Sequence, residues 1–199
     1  MIKIYFQEIK DVCDAIDQEE IQRMIEALRS FQGRLFILGN GGSAANASHA
    51  VNDFRKIAGI ETYAPSDNVA ELSAWTNDED WKYSFSEWLK ESKINEDDAV
   101  FVLSVNGGND IVSPNIQLAL EIAKSRKAKI FGIVGKKGGY TKDIADCCII
   151  IPSTNSGIVE SFQSIIWHLL VSHLAHGISS TPDTSYILKN ADSTATTLS

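Results

Sequence analysis

The sequence has 199 residues and is poor in cysteine and proline, with three and four of each. It also has no apolar run near the roughly 18 residues that a membrane-spanning helix needs. Basic residues are outnumbered, since 18 Lys and Arg face 26 Asp and Glu for a net charge of −8. That balance disfavours nucleic acid and anionic membrane as main partners, so a phosphate would have to be held by local N–H groups and hydroxyls.

The cysteine pattern argues against a metal knuckle. Cys147 and Cys148 are adjacent in a predicted strand, where their side chains point to opposite faces of the sheet. We interpret them as small buried residues. Because the sequence also shows no secretory signal peptide, we expect a cytoplasmic, reduced protein.

Neither a Walker A loop nor the G-x-G-x-x-G spacing of dinucleotide-binding folds is present. A different glycine turn, Gly39-Asn40-Gly41-Gly42-Ser43, follows the apolar run 35–38 and precedes a helix-compatible stretch. A strand that breaks into glycines and then a helix builds an anion site from backbone N–H groups and the helix dipole. Ser43 would add a hydroxyl. The alternative is a plain tight turn.

A second turn of the same kind follows the apolar run 99–103. It reads Ser104-Val105-Asn106-Gly107-Gly108-Asn109-Asp110, and Ser113-Pro114 then suits the start of a helix. Two such turns in one α/β chain predict two loops that face one crevice at the carboxyl ends of neighbouring strands. Two unrelated turns are the alternative.

The order of apolar runs predicts an α/β fold: a three-layer αβα sandwich around a five-stranded parallel sheet. We predict an N-terminal helical arm at 1–33, a core domain at 34–178 and a tail at 179–199 that is a surface arm or partly disordered. Such an arm packs on another subunit or covers a face of the sheet. The predicted strands are 35–38, 61–64, 99–104, 129–134 and 147–151. The predicted helices of the core are 43–57, 80–92, 113–127, 140–145 and 157–176.

Two pairs of polar residues are candidates for chemistry. His49 and Asp53 are four apart on one helix face, so they could share a proton network or a metal ion, or be an ordinary surface pair. Glu160 and His168 lie on a largely apolar helix, where polar groups need partners. A satisfied core histidine is the alternative for His168. Eight helical residues rise about 12 Å, so Glu160 and His168 can share an ion only if the helix is irregular or a second subunit contributes.

Together these residues resemble the sugar isomerase (SIS) family of phosphosugar-binding domains, and within it the phosphoheptose isomerases. The resemblance covers about residues 30 to 176. The residues that carry it are Gly39-Asn40-Gly41-Gly42-Ser43, His49, Asp53, Thr76-Asn77-Asp78, the Ser104 loop, Val134-Gly135-Lys136-Lys137-Gly138-Gly139, Glu160 and His168.

The resemblance implies a flavodoxin-like SIS fold and an aldose–ketose isomerase of seven-carbon sugar phosphates. Such an enzyme converts sedoheptulose 7-phosphate to D-glycero-D-manno-heptose 7-phosphate for heptose and surface polysaccharide (lipopolysaccharide or capsule) synthesis. It implies a homotetramer or dimer with its site near the subunit interface, and no nucleotide cofactor.

The resemblance also assigns roles to residues. It implies catalytic roles for Asp53, at the place of a family glutamate, and His168. It implies Zn²⁺ or another divalent metal on His49, Asp53, Glu160 and His168, with Glu160 at the place of a family glutamine. The residues predicted to hold the substrate and its phosphate are Asn40, Gly41, Gly42, Ser43, Asp67, Asn68, Ser104, Asn106, Gly107 and Ser113. An Asx-turn is the alternative for Asp67 and Asn68.

The second loop departs from the family pattern, because Ser104-Val105-Asn106 replaces a run with two more hydroxyls. Two other functions therefore stay open: a non-catalytic phosphosugar-binding or regulatory SIS protein, and an isomerase of another sugar phosphate.

Overall fold

The computed structural model describes residues 1–176, so the predicted tail 179–199 lies outside the described residues. All five predicted strands are present, and all pair in parallel in the order β2-β1-β3-β4-β5. The α/β fold with a five-stranded parallel sheet is thus confirmed. The strands are β1 Leu35–Leu38, β2 Thr62–Tyr63, β3 Ala99–Ser104, β4 Lys129–Gly135 and β5 Cys147–Ile151.

The strand order places the crevice of the sheet between β1 and β3. From β1 the chain moves outward to β2, and it then returns to β3 on the other side of β1, with Leu35 paired to Ala99. Connections that leave in opposite directions from neighbouring parallel strands open a gap at the carboxyl ends of those strands. The two glycine turns follow β1 and β3, so both lie at this gap.

Eight α-helices fill the described part of the chain. Two additional single turns of 3₁₀ helix occur at Pro65–Asp67 and Trp81–Tyr83. No helix among residues 1–176 is both long and apolar enough to pass through a bilayer. The helices are α1 Ile2–Ala15, α2 Gln18–Arg29, α3 Gly42–Lys56, α4 Val69–Asp78, α5 Ser84–Glu91, α6 Pro114–Ser125, α7 Gly139–Ile144 and α8 Ser156–His176.

Helices cover both faces of the sheet. α2, α3 and α8 pack on one face, where Met24, Phe54 and Trp167 are fully buried. On the other face, α5, α6 and α7 enclose a second apolar cluster that includes Trp88 and Leu120. Each large apolar side chain removed from water contributes about 1.5–3 kcal/mol, so the two clusters hold the three layers together.

α1 and α2 differ in how far their apolar side chains are buried. The apolar stripe of α2, which includes Ile21 and Leu28, is buried in the first cluster. α2 therefore covers the sheet, which was one of the two alternatives for the arm. The first turns of α1 leave Ile2, Ile4 and Phe6 exposed. The arm, core and tail boundaries stay predictions.

The region after β2 differs from the prediction. The expected helix 80–92 is shorter, and α4 precedes it where no helix was predicted. α4 has no buried residue, so it lacks the apolar stripe on which the prediction relied. Its start signal was nevertheless in the sequence, since the Asn68 side chain caps the helix by accepting from the Glu71 N–H.

Candidate functional site

Three of the four residues proposed as metal ligands meet between α3 and α8. His49 and Asp53 lie on successive turns of α3, and His168 comes from α8. The Nε2 atoms of His49 and His168 are 3.8 and 3.7 Å from Asp53 Oδ2. One nitrogen or oxygen from each residue lies within 4.8 Å of the others. The structure thus brings these three side chains into one cluster.

Hydrogen bonds orient two members of the cluster. Asp53 Oδ1 accepts from Asn52 Nδ2 at 2.7 Å, which leaves Oδ2 to face the imidazoles. His168 Nδ1 lies 2.6 Å from the Ser164 carbonyl oxygen. Because a carbonyl only accepts, Nδ1 carries the proton, and neutral His168 presents a lone pair at Nε2. That nitrogen is then a metal ligand or a proton acceptor, and it becomes an acid only when the ring is protonated.

The cluster is open on one side. The Asp53 side chain is 12% exposed, whereas the side chains of His49 and His168 are 56% and 45% exposed. The carboxylate therefore forms the base of the site and the imidazoles form its rim. A ligand can approach from solvent and meet a carboxylate oxygen that is largely shielded from water, where electrostatic interactions are stronger.

The donor set fits a divalent metal. Two imidazole nitrogens and one carboxylate oxygen form a set that zinc and other transition metals accept. Tetrahedral zinc with bonds of about 2.0–2.2 Å holds its ligands roughly 3.3 Å apart. The separations of 3.7 and 3.8 Å from Asp53 Oδ2 therefore need only a small closure, and the full set of ligand atoms lies within 4.8 Å. The hydrogen bond from His168 Nδ1 to a carbonyl is the outer contact that metal-bound histidines usually make.

Glu160 does not reach this cluster within the chain. It lies in the first part of α8, eight residues before His168, or about 12 Å along a regular helix. Its carboxylate lies against the Cα of Gly42, where any side chain would collide with it. The fourth ligand implied by the resemblance is therefore not beside the other three. Its participation would need a second chain and stays a prediction.

The first glycine turn makes the predicted entry into α3, but the Ser43 hydroxyl faces inward. Gly41 has φ 59°, a conformation that favours glycine, and α3 begins at the next residue, Gly42. Gly41 and Gly42 are both exposed at this end of the helix. The Ser43 hydroxyl donates to Gln163 Oε1 at 3.0 Å, and both side chains are buried. Since a hydroxyl has one proton, Ser43 is placed to join α3 to α8 and not to donate to an anion.

Gln163 was not singled out from the sequence. It is a fully buried amide on a mostly apolar helix, and it also accepts from Asn46 Nδ2 at 3.2 Å. A polar residue at such a position must find a partner. That requirement was the signal that could have pointed to it.

A pair of amides joins the first glycine turn to the start of α6, the helix that follows the second turn. Asn40 Nδ2 donates to Asn115 Oδ1, and Asn115 Nδ2 donates to Asn40 Oδ1, both at 3.0 Å. Asn115 is fully buried and Asn40 is half-buried. The pair links the first turn to the helix that follows the second turn, which is consistent with the prediction that both turns face one crevice. Asn115 was missed because only the long-range fold gives it a partner.

Hydrogen bonds within the protein fix the second glycine turn. The Ser104 hydroxyl accepts from the Gly107 N–H at 3.0 Å, and the Gly107 carbonyl accepts from Thr141 Oγ1 at 2.7 Å. Gly107 has φ 71°, and a Cβ there would overlap the Gly138 carbonyl. The Ser104 proton is not used by the Gly107 bond, so this hydroxyl can still donate to a ligand.

Other predicted substrate residues take varied positions. Asn106 is half-buried between Ser104 and Gly107. Ser113 precedes Pro114 at the start of α6, but it is left-handed at φ 57° and its side chain caps nothing. Asp67 accepts from the Ser48 hydroxyl, while Asn68 is the cap of α4. The local-turn alternative thus accounts for the Asn68 side chain.

Comparison with known proteins shows the family of the chain. Residues 4–135 match the SIS domain family. A phosphoheptose isomerase of Trichlorobacter lovleyi is 32% identical over 178 residues, covering 87% of this chain and 88% of that protein. One from Nitratiruptor sp. is 33% identical over 153 residues, covering 74% and 79%. The solved phosphoheptose isomerase of Neisseria gonorrhoeae shares the fold, with a TM-score of 0.77 at 20% identity over 87% of this chain and 96% of that one. The chain therefore belongs to the SIS domain family, among the relatives of the phosphoheptose isomerases.

Proposed function

We propose that this protein is an aldose–ketose isomerase that interconverts sedoheptulose 7-phosphate and D-glycero-D-manno-heptose 7-phosphate. The observation that carries the proposal is the shielded Asp53 carboxylate with two imidazole nitrogens within 4 Å of one of its oxygens. The likeness to proteins named phosphoheptose isomerase, over 87% and 74% of this chain, supplies the substrate.

The chemistry needs one proton moved between C1 and C2 through an enediol. Asp53 is the proposed base, since its free Oδ2 faces the open side of the cluster and its other oxygen is held by Asn52. His168 takes or returns a proton at Nε2 next to the sugar oxygens, because its Nδ1 is committed to a carbonyl. A base positioned in this way typically contributes 10²- to 10⁴-fold to the rate.

The distance between the first glycine turn and the cluster of His49, Asp53 and His168 suits a long sugar. His49 lies seven residues after Gly42, or roughly 10 Å along α3 at 1.5 Å per residue. An extended seven-carbon sugar together with its terminal phosphate has about that length. A phosphate near the glycine turns would then place the carbonyl end of the sugar beside His49 and Asp53, with the turn N–H groups and Ser104 holding the register.

His49, Asp53 and His168 are also the residues that would hold a divalent metal such as Zn²⁺. With a metal bound, Asp53 Oδ2 and His168 Nε2 would be ligand atoms, so the proton transfers described above apply to the metal-free site. A metal there would supply charge stabilisation to the sugar oxygens. The support is the donor set and the outer hydrogen bond of His168.

Assembly, location and pathway belong to the same proposal. Exposed Ile165 and Leu169 flank His168 on α8, and Ile2 and Phe6 are exposed on α1. Apolar side chains beside an open site favour a homo-oligomer, a tetramer or dimer, whose interface borders the site. We further propose that the enzyme works in the cytoplasm, where it would serve heptose synthesis for surface polysaccharide.

One observation favours a second candidate function. The Ser43 hydroxyl donates its proton to Gln163 within the protein, and the second loop has fewer hydroxyls than the family pattern. A site weakened in this way would suit an SIS protein that binds a phosphosugar without converting it. Binding without turnover distinguishes this candidate from the isomerase.

The test is incubation with sedoheptulose 7-phosphate, with and without a chelator, followed by product analysis. We expect aldose product from the wild type and a loss of about 10²-fold or more in Asp53→Asn. Asp143→Asn is the matched control, since Asp143 is an exposed carboxylate on α7. Full turnover by Asp53→Asn would remove Asp53 as the base, and calorimetric binding without product would favour the second function.

A further inference from the structure

Trp167 lies against both histidines of the cluster. It precedes His168 on α8 and is completely buried. The centroid of its ring system is 3.5 Å from that of His168 at an interplanar angle of 27°, and 4.7 Å from that of His49 at 72°. One indole therefore contacts two imidazoles, one by stacking and one at a steep angle. The steep contact with His49 is an arrangement that aromatic rings prefer, and the stacked contact with His168 is a close one.

Burying the indole of Trp167 costs free energy that burying a purely apolar side chain would not cost. Within residues 1–176, Trp167 Nε1 is the one buried side-chain nitrogen or oxygen without a hydrogen-bond partner. An unpaired buried donor loses its hydration without compensation. Phenylalanine or leucine would fill apolar space without this loss, so packing alone does not favour tryptophan here. A phenyl ring is smaller, whereas the indole is wide enough to contact both imidazoles.

The two contacts fix the direction of the lone pairs. The imidazole rings of His49 and His168 are 5.1 Å apart and nearly perpendicular, at 83°. The His168 ring is held by the Ser164 carbonyl on one side and by the indole face on the other. No hydrogen bond within the described residues holds the ring of His49, so its position rests largely on Trp167.

We propose that Trp167 is a positioning residue that holds His49 and His168 in the orientation in which they bind a metal. This inference deepens the proposed function and rests on its metal site. Trp167 acts through the imidazoles and touches neither metal nor sugar.

The experiment compares Trp167→Leu and Trp167→Phe with the wild type. Trp88→Leu is the matched control, because Trp88 is buried in the cluster on the other face of the sheet. The full-length metal-free proteins are titrated with Co²⁺, followed by visible absorption, and with Zn²⁺ in competition with a chromophoric chelator. Thermal unfolding establishes the temperature at which all variants are folded.

We expect Trp167→Leu to lower Co²⁺ and Zn²⁺ affinity by about 10- to 100-fold, the usual effect of losing an outer contact, and to alter the Co²⁺ spectrum. Trp167→Phe should lose less, and Trp88→Leu should bind as the wild type does. In turnover of sedoheptulose 7-phosphate, Trp167→Leu should reduce kcat and leave KM nearly unchanged, since the phosphate loops are intact.

Unchanged affinity and spectrum in folded Trp167→Leu would reduce Trp167 to a packing residue. So would a wild type that binds no Co²⁺. If Trp167→Leu does not fold, the inference is tested by ¹⁹F NMR of the wild type labelled with 5-fluorotryptophan. The ¹⁹F resonance assigned to Trp167 by Trp167→Phe should shift on Zn²⁺ saturation while that of Trp88 stays fixed, and an unshifted resonance refutes the inference. A wild type that binds metal but converts no sugar would overturn the isomerase proposal alone.

Discussion

Replacing Asn115 with alanine should uncouple the first glycine turn from the start of α6. Asn115 is fully buried and exchanges two hydrogen bonds with Asn40, each 3.0 Å long. These bonds tie the turn after β1 to the start of α6. Without them the first turn and α6 remain in the fold but lose this direct connection.

The expected loss in the free energy of unfolding follows from the two hydrogen bonds between Asn40 and Asn115. Two neutral hydrogen bonds are worth about 1–3 kcal/mol together, at about 0.5–1.5 each. The half-buried Asn40 amide can regain part of its hydration, which limits the penalty for leaving it unpaired. The small cavity at position 115 adds to the loss. We therefore expect Asn115→Ala to lower the free energy of unfolding by roughly 2–3 kcal/mol.

The assay is urea denaturation of the wild type, both single alanine variants and the Asn40→Ala/Asn115→Ala double variant. We expect a coupling energy of about 1–2 kcal/mol in this cycle. Asn77→Ala, at an exposed amide on α4, is the control and should change stability by less than about 0.5 kcal/mol. Asn115→Ala should also raise KM for the sugar phosphate more than it lowers kcat. A coupling energy indistinguishable from zero would show that the amide pair does not join the first turn to α6.

Three further predictions concern the phosphate loop, the thiols and the assembly. Ser104→Ala should weaken phosphosugar binding by about 0.5–1.5 kcal/mol, or up to about 3 with a charged acceptor; unchanged affinity in isothermal titration would remove Ser104 from the site. Burial raises the pKa of Cys147 to about 11 and that of Cys148 to about 12, from 9.0. A thiol-specific disulfide reagent at pH 8 should therefore modify only exposed Cys13 rapidly, with the other two becoming reactive as the pH approaches 11–12; three fast thiols at pH 8 in folded protein would contradict this. Light scattering at micromolar concentration should show a dimer or tetramer, and a monomer would refute the proposed assembly.

The parts of the fold that depend on local pattern were predictable. β1, β3 and β5 have the predicted bounds, because each is a short apolar run with polar or glycine residues at its ends. Val100 and Phe101 point into opposite clusters, as the two-residue period of a strand requires. α3 begins one residue before the predicted position, since its glycine entry is itself a local signal.

The direction of polar side chains could not be predicted in the same way. The Ser43 hydroxyl points to Gln163, which is 120 residues away in sequence, and Asn40 pairs with Asn115, 75 residues away. No local pattern distinguishes an inward hydroxyl from one that faces a ligand. Such a hydrogen bond is decided by the packing of whole helices, because a buried polar group takes whichever partner the fold brings near.

The site itself is a product of helix packing. The i, i+4 spacing put His49 and Asp53 on one face of α3, but only contact between α3 and α8 brings His168 to them. Ala47 and Ala50, both fully buried, keep the buried side of α3 narrow, and small side chains at a contact let helix axes approach closely. The same packing explains why Glu160 is apart, because α3 and α8 lie side by side and Glu160 meets Gly42 at the start of α3, about 12 Å along α8 from His168. The three clustered side chains can act on one ligand, whereas a residue eight positions earlier on α8 acts there only if another chain presents it.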